Sequence, residues 1–130
     1  MATNPSFTST PRIGSVNIAT ANTGRDGTGT ITSVLTGVTA GTKVFEVTVS
    51  PTVTTTAGMV RLFISQDSGT TWRLFDEITI SAATPSATVK VARNTTVYTN
   101  LILSGTTSVL GASTHNAESI NVFAFAGDLT

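Results

Sequence analysis

The sequence predicts an all-β fold: a single antiparallel β-sandwich of jelly-roll type, with an immunoglobulin-like sandwich as the alternative. Three observations lead there. Threonine supplies 28 of the 130 residues, and its β-branched side chain, stiff at χ1, suits a pleated and half-buried surface. Short apolar runs alternate with turn clusters about every 8–12 residues. No window carries a sustained i, i+3, i+4, i+7 pattern, so no amphipathic helix is expected. Two sheets follow, because each must hide one apolar face.

The elements read in order as follows. Residues 1–11 hold Pro5, Pro11 and one large apolar group, Phe7, and read as an extended arm, either a loose terminus or one that lays Phe7 on a neighbouring subunit. The sandwich domain then spans 12–130. Arg12–Thr20 carries Ile13, Val16 and Ile18, the turn-rich Asn22–Gly27 follows, and the glycine-rich Gly24–Gly29 reads as a long hairpin loop. Thr28–Val38 brings Ile31, Val34 and Leu35. Lys43–Ser50 alternates, with Phe45, Val47 and Val49 on one face and Val44, Glu46 and Thr48 on the other. Pro51 ends that strand or marks an edge.

Met59–Ser65 sets Val60, Leu62 and Ile64 against Met59, Arg61 and Phe63. Trp72–Ile80 sets Trp72, Leu74, Asp76, Ile78 and Ile80 against Arg73, Phe75, Glu77 and Thr79, and residues 66–71 join the two runs as a hairpin. Ala87–Ala92 brings Val89 and Val91, Val97–Ser104 brings Tyr98, Leu101 and Leu103, and Ser108–Ser113 is a weaker run. Ile120–Ala126 closes the series with Val122 on one face and Phe123 and Phe125 on the other. The total is eight or nine strands.

Composition narrows the chemistry. Charged residues make up 11% of the chain, against about 25% in an ordinary soluble domain. Seven basic and seven acidic groups cancel, leaving no long-range field to draw the chain onto nucleic acid or an anionic membrane. With no cysteine there is no thiolate site, and one histidine makes no multi-histidine metal centre. No apolar run approaches the roughly 18 residues that span a bilayer. The expectation is a binding or structural module without catalytic residues, cofactor or metal.

Two local patterns carry the remaining chemistry. Ser65-Gln66-Asp67-Ser68-Gly69-Thr70-Thr71-Trp72 resembles, through Ser65, Asp67, Gly69, Thr71 and Trp72, the Asp-box hairpin of sialidases and other propeller proteins. It specifies a turn: Asp67 accepts backbone N–H groups, Gly69 supplies an unusual φ, and Trp72 packs beneath. A sialidase also needs an arginine cluster and several boxes, which one domain with a single tyrosine, Tyr98, does not offer. Asp76 and Glu77, adjacent on a strand, point to opposite faces. Arg61 and Arg73 flank the hairpin and are expected close together, relieved by Glu77. His115, in a turn, lacks a Gly-x-Ser-x-Gly elbow that would give it a serine partner. A hydrolase acting through His115 or Asp67 is the weakest of three hypotheses.

Over its full length the chain resembles a group of small bacteriophage virion proteins. The resemblance rests on Thr10–Gly14, Thr20–Thr30, Thr55–Ile64, Trp72–Ile78, Thr84–Val89 and Asn121–Asp128. It implies a structural role: a capsid decoration (cement) protein, homotrimeric, bound to the major capsid protein on the capsid exterior and made in the host cytoplasm. The alternative is a tail-fibre or baseplate module that recognises host glycan through Trp72 and Tyr98.

Overall fold

The computed structural model describes residues 9–129. Eight strands form two four-stranded antiparallel sheets. They are β1 (Thr10–Ile18), β2 (Thr32–Thr36), β3 (Thr42–Pro51), β4 (Gly58–Ser65), β5 (Arg73–Ile80), β6 (Asn94–Leu103), β7 (Val109–Thr114) and β8 (Ile120–Asp128). Sheet A has the order β1-β8-β3-β6, and sheet B the order β2-β7-β4-β5. The pairs β1·β8, β2·β7, β3·β6 and β4·β5 nest inside one another, as in a long antiparallel ribbon folded at the β4–β5 hairpin. Rolling that ribbon adds β3·β8 and β4·β7. This is jelly-roll wiring, and the immunoglobulin alternative is set aside by it.

The core lies between the sheets. Val44, Val47, Val49, Leu103, Val122 and Ala124 from sheet A meet Val60, Leu62, Ile78, Leu110 and Ala112 from sheet B. Aliphatic side chains of this kind contribute about 1.5–3 kcal/mol each when fully buried. That is enough for a chain with few ion pairs to hold its shape.

Several expected boundaries and faces change. Thr10 and Pro11, assigned to the arm, are the first residues of β1, opposite Asp128 and Gly127. Phe7 and the rest of the arm before Ser9 lie outside the described residues. Gly24–Gly29 is no hairpin loop, because β1 and β2 belong to different sheets. Pro51 ends β3, which is a central strand and not an edge. A bulge at Phe45 shifts the alternation, so that Val44 shares the buried face with Val47 and Val49 while Phe45 is exposed. A second bulge on β5 pairs Phe63 with Leu74 and Leu62 with Asp76, leaving Phe75 as the extra residue.

Residues 87–92 form no strand. There the Ser86 hydroxyl accepts the N–H groups of Thr88 and Val89, both at 3.2 Å, a local bond that competes with a ladder. The weak run at 108–113 becomes β7, a central strand buried along its whole length.

The connections divide between the two ends of the sandwich. At one end the β1–β2, β3–β4, β5–β6 and β7–β8 connections meet: Asn22 N–H bonds Thr114 O at 2.8 Å, Thr52 N–H bonds Ser119 O at 2.9 Å, and Thr55 pairs with Ala83. At the other, Gly37 N–H reaches Ser108 O, Ser68 N–H reaches Thr107 O and Leu129 N–H reaches Gly41 O, each at 2.9 Å. Ser9 and Leu129, the first and last described residues, belong to this second group.

Candidate functional site

Three regions hold the chemistry: the β4–β5 hairpin, a groove at the long-connection end, and the outer face of sheet A. The hairpin behaves as the Asp-box pattern predicts. Asp67 Oδ1 accepts the Ser65 hydroxyl and the Thr71 N–H, both at 2.8 Å, and Gly69 N–H donates to Ser65 Oγ at 2.8 Å. Gly69 has φ +90°, open to glycine at little cost, and a Cβ there would lie 3.4 Å from Trp72 Cζ2. The ring therefore sits under the turn. The Thr71 N–H, then the Ser65 hydroxyl, hold the Asp67 carboxyl below its usual range, so it stays an anion with its acceptor capacity committed to the turn.

Trp72 does more than close its own hairpin. It lies on the outer face of sheet B against Gly111 of β7, where a Cβ would meet two ring carbons at 2.7 Å and Ile31 Cγ2 at 2.9 Å. Phe63, opposite Gly111, is fully buried on this same outer face. Trp72, Ile31 and Phe63 thus form a second apolar layer outside the main core. The Trp72 ring packs into that layer and is half-buried. Tyr98 is committed too: its hydroxyl donates to Asp76 Oδ2 at 2.7 Å and its ring lies 5.3 Å from Phe75. Burial, then that bond, raises the Tyr98 pKa above its ordinary value.

The groove, about 440 Å³, is built around Arg61. This guanidinium is only 2% exposed. Its Nη1 donates to Asn22 O at 3.3 Å, and Nη1 and Nη2 both lie 3.2 Å from His115 Nδ1. A guanidinium has no acceptor, so Nδ1 is the acceptor and the imidazole carries its proton on Nε2. Glu77 takes Arg25 side-on, with Nε–Oε1 at 2.7 Å and Nη2–Oε2 at 3.1 Å. Its Oε2 stands 3.5 Å from Arg61 Nε, a buried nitrogen left without a hydrogen-bond partner. The hydrogen bond from Arg25 holds the Glu77 carboxyl below its usual range.

Some expected neighbours are brought together and others are not. Asp76 and Glu77 do face opposite ways, towards Tyr98 and towards the two arginines. Arg61 faces Arg25, whereas Arg73 pairs across from Ile64. Asp67 and His115 lie beyond opposite ends of β4, whose eight residues span roughly 25 Å. His115 is held by a cation at Nδ1, where a Ser-His-Asp triad requires a carboxylate. Among the described residues no group of three or more His, Asp or Glu side chains is placed to hold a metal ion, and no helix is long and apolar enough to cross a membrane.

The sequence reading missed the cover over sheet B. The signal was the near-continuous run Met59–Ile64, which suits a strand buried on both faces rather than on one.

The outer face of sheet A has no such cover among the described residues. Cross-strand register runs Ile13–Phe125–Glu46–Val97 across the four strands, so Glu46 stands between Phe125 and Val97. Phe123 and Phe125 stack with centroids 6.2 Å apart. Val97 is 71% exposed, Ile13 66% and Ile102 48%, with Phe45 also exposed. Between them lie the Thr48–Thr95 hydroxyl pair, 2.8 Å apart, and two charged groups of opposite sign, Glu46 opposite Phe125 and Lys43 opposite Ile102. No family model matches the chain, and no curated protein matches it. The structure defines the described residues as a jelly-roll sandwich whose sheet B is covered over β7 and β4, with Leu74 and Phe75 exposed on its edge strand β5, and whose sheet A is bare.

Proposed function

We propose that the chain is a non-enzymatic structural protein of a bacteriophage virion: a capsid decoration (cement) protein, homotrimeric, seated on the major capsid protein at the capsid exterior. The observation that carries this reading is the bare outer face of sheet A. Jelly rolls serve as capsid and lectin domains alike, so the fold by itself does not choose between them. What favours contact with protein is the surface chemistry. Exposed Ile13, Val97, Ile102 and Phe45 surround stacked phenylalanines, and the depletion of charge resembles the centre of a protein interface. A rigid face with few charges also loses little to desolvation when it is covered.

Size supports several copies acting together. Four strands of about nine residues present a flat area of roughly 550 Å², the scale of a single modest interface. Repeated copies around a symmetry axis add to it through avidity.

The test uses heads of the phage that encodes the chain, stripped of this protein and then incubated with it. Wild-type protein is expected to rebind to saturation and raise the temperature at which heads rupture. The double variant Ile13→Lys/Val97→Lys is expected to fold with an unchanged melting midpoint yet leave heads unoccupied. Full occupancy by that variant, or no binding by wild type, overturns the reading.

A further inference from the structure

The groove at the long-connection end has a chemistry that a neutral contact face does not call for. Arg25 and Arg61 bring two positive charges, Glu77 returns one, and His115 is neutral when its Nδ1 accepts from Arg61. Among these groups one positive charge is left over; of the neighbouring carboxylates, Glu118 is committed to the Thr56 N–H and hydroxyl, both at 2.9 Å, and Asp26 to Thr28. Donors are also in excess. Arg25 spends its Nε and Nη2 side on Glu77, leaving the Nη1 end of the fork for another acceptor. Arg61 Nε is buried without a hydrogen-bond partner. The forced tautomer places an N–H on His115 Nε2, for which no acceptor is found among the described residues. Beside these donors the wall is apolar, formed by Met59, Ala57 and Ile80.

We propose that this groove binds a single carboxylate that carries a small branched apolar group. The charge selects a monoanion: one negative charge restores neutrality, whereas a phosphate dianion overshoots and confronts Glu77. The planar fork of Arg25 matches the two oxygens of a carboxylate, and His115 Nε2–H supplies a third, directional contact. Met59 and Ile80 take the branched alkyl end. The same chemistry is offered by a free short-chain acid and by the C-terminal leucine or valine of a peptide. The site stands apart from sheet A, so its fate is independent of the capsid reading.

The test is a titration of ¹⁵N-labelled protein, followed at the His115 ring nitrogens and the Gly58 and Met59 amides, with 3-methylbutanoate, its neutral amide, inorganic phosphate and 3-methylbutylamine. The carboxylate is expected to saturate these shifts, with the amide weaker by roughly tenfold or more, the loss of one charge-assisted hydrogen bond. Arg25→Gln is expected to bring the carboxylate to the amide's level, while Arg73→Gln, outside the groove, leaves it unchanged. Equal binding of carboxylate and amide by wild type overturns the proposal, as does tighter binding of phosphate or the absence of any saturable shift. A tetrapeptide ending in a free leucine and the same peptide amidated at that residue distinguish the sources. Both sources support the site; tighter binding of the free-ended peptide than of the short acid assigns it to a partner's chain end, and the reverse to a free acid.

Discussion

The two sheets share one core but treat their outer faces in opposite ways. Sheet B covers its outer face with Trp72 from its own hairpin and with Ile31 and the chain around Asn22, so that Phe63 and Arg61 are buried. Sheet A leaves Ile13, Val97 and Ile102 in solvent. Their composition is similar; the difference is which face the long connections cross. The β1–β2 connection folds over sheet B and is cross-linked there, with Asn22 Nδ2 donating to Thr28 O at 2.9 Å and Thr30 O at 3.1 Å. A covered face contributes to stability, and a bare face is available to a partner. The comparison separates the residues that maintain the fold from those that meet other molecules.

The largest effect is expected where the cover is thickest. Phe63→Ala removes a buried ring and leaves a void, at a cost of about 3–5 kcal/mol. Val97→Ala, its counterpart on the bare face, is expected within about 0.5 kcal/mol of wild type. Urea melts of the two variants measure the contrast; similar costs would break it. A smaller loss is expected from Gly111→Ala. Its methyl group would press on the Trp72 ring at 2.7 Å, and overpacking of this kind costs about 1–3 kcal/mol. Because Trp72 is the single tryptophan, a red shift of fluorescence at unchanged far-ultraviolet dichroism would report that the cover has lifted while the sandwich remains.

Acid provides the mildest perturbation. Asp67 and Glu77 both belong to the covered side, and hydrogen bonds hold both below their ordinary values. A carboxyl with a lower pKa folded than unfolded adds stability above its unfolded value and loses it as pH falls through the folded one. The melting midpoint is therefore expected to stay level from about pH 7 to about pH 5 and to decline below about pH 4. Asp67→Asn should lower the plateau and shallow the decline. An unchanged profile in that variant would mean that the turn's bonds do not depend on the charge.

Local patterns were legible in the sequence, and long-range ones were not. The β4–β5 hairpin could be read because Ser65, Asp67, Gly69 and Trp72 interact within a few residues of one another. The strand faces were misread at Phe45 and Phe75, since one inserted residue reverses the parity beyond it and only the partner strand reveals the insertion. β7 was underrated because Gly111, Ala112 and Ser113 are small, and the missing Cβ of Gly111 is what admits the indole. Arg61 was expected beside Arg73 on strand proximity; it met Arg25 because a connection from the other sheet folds back over β4. The groove was invisible for the same reason, assembled from segments spread between Thr23 and His115.

The nested wiring makes residues 9–129 almost a closed loop. Ser9 N–H donates to Asp128 O at 2.9 Å, so a short splice there would cost little loop-closure entropy. New termini opened in the 81–93 connection, remote from the splice, would keep every ladder intact. Where synthesis starts is, for this topology, a convention rather than an architectural requirement.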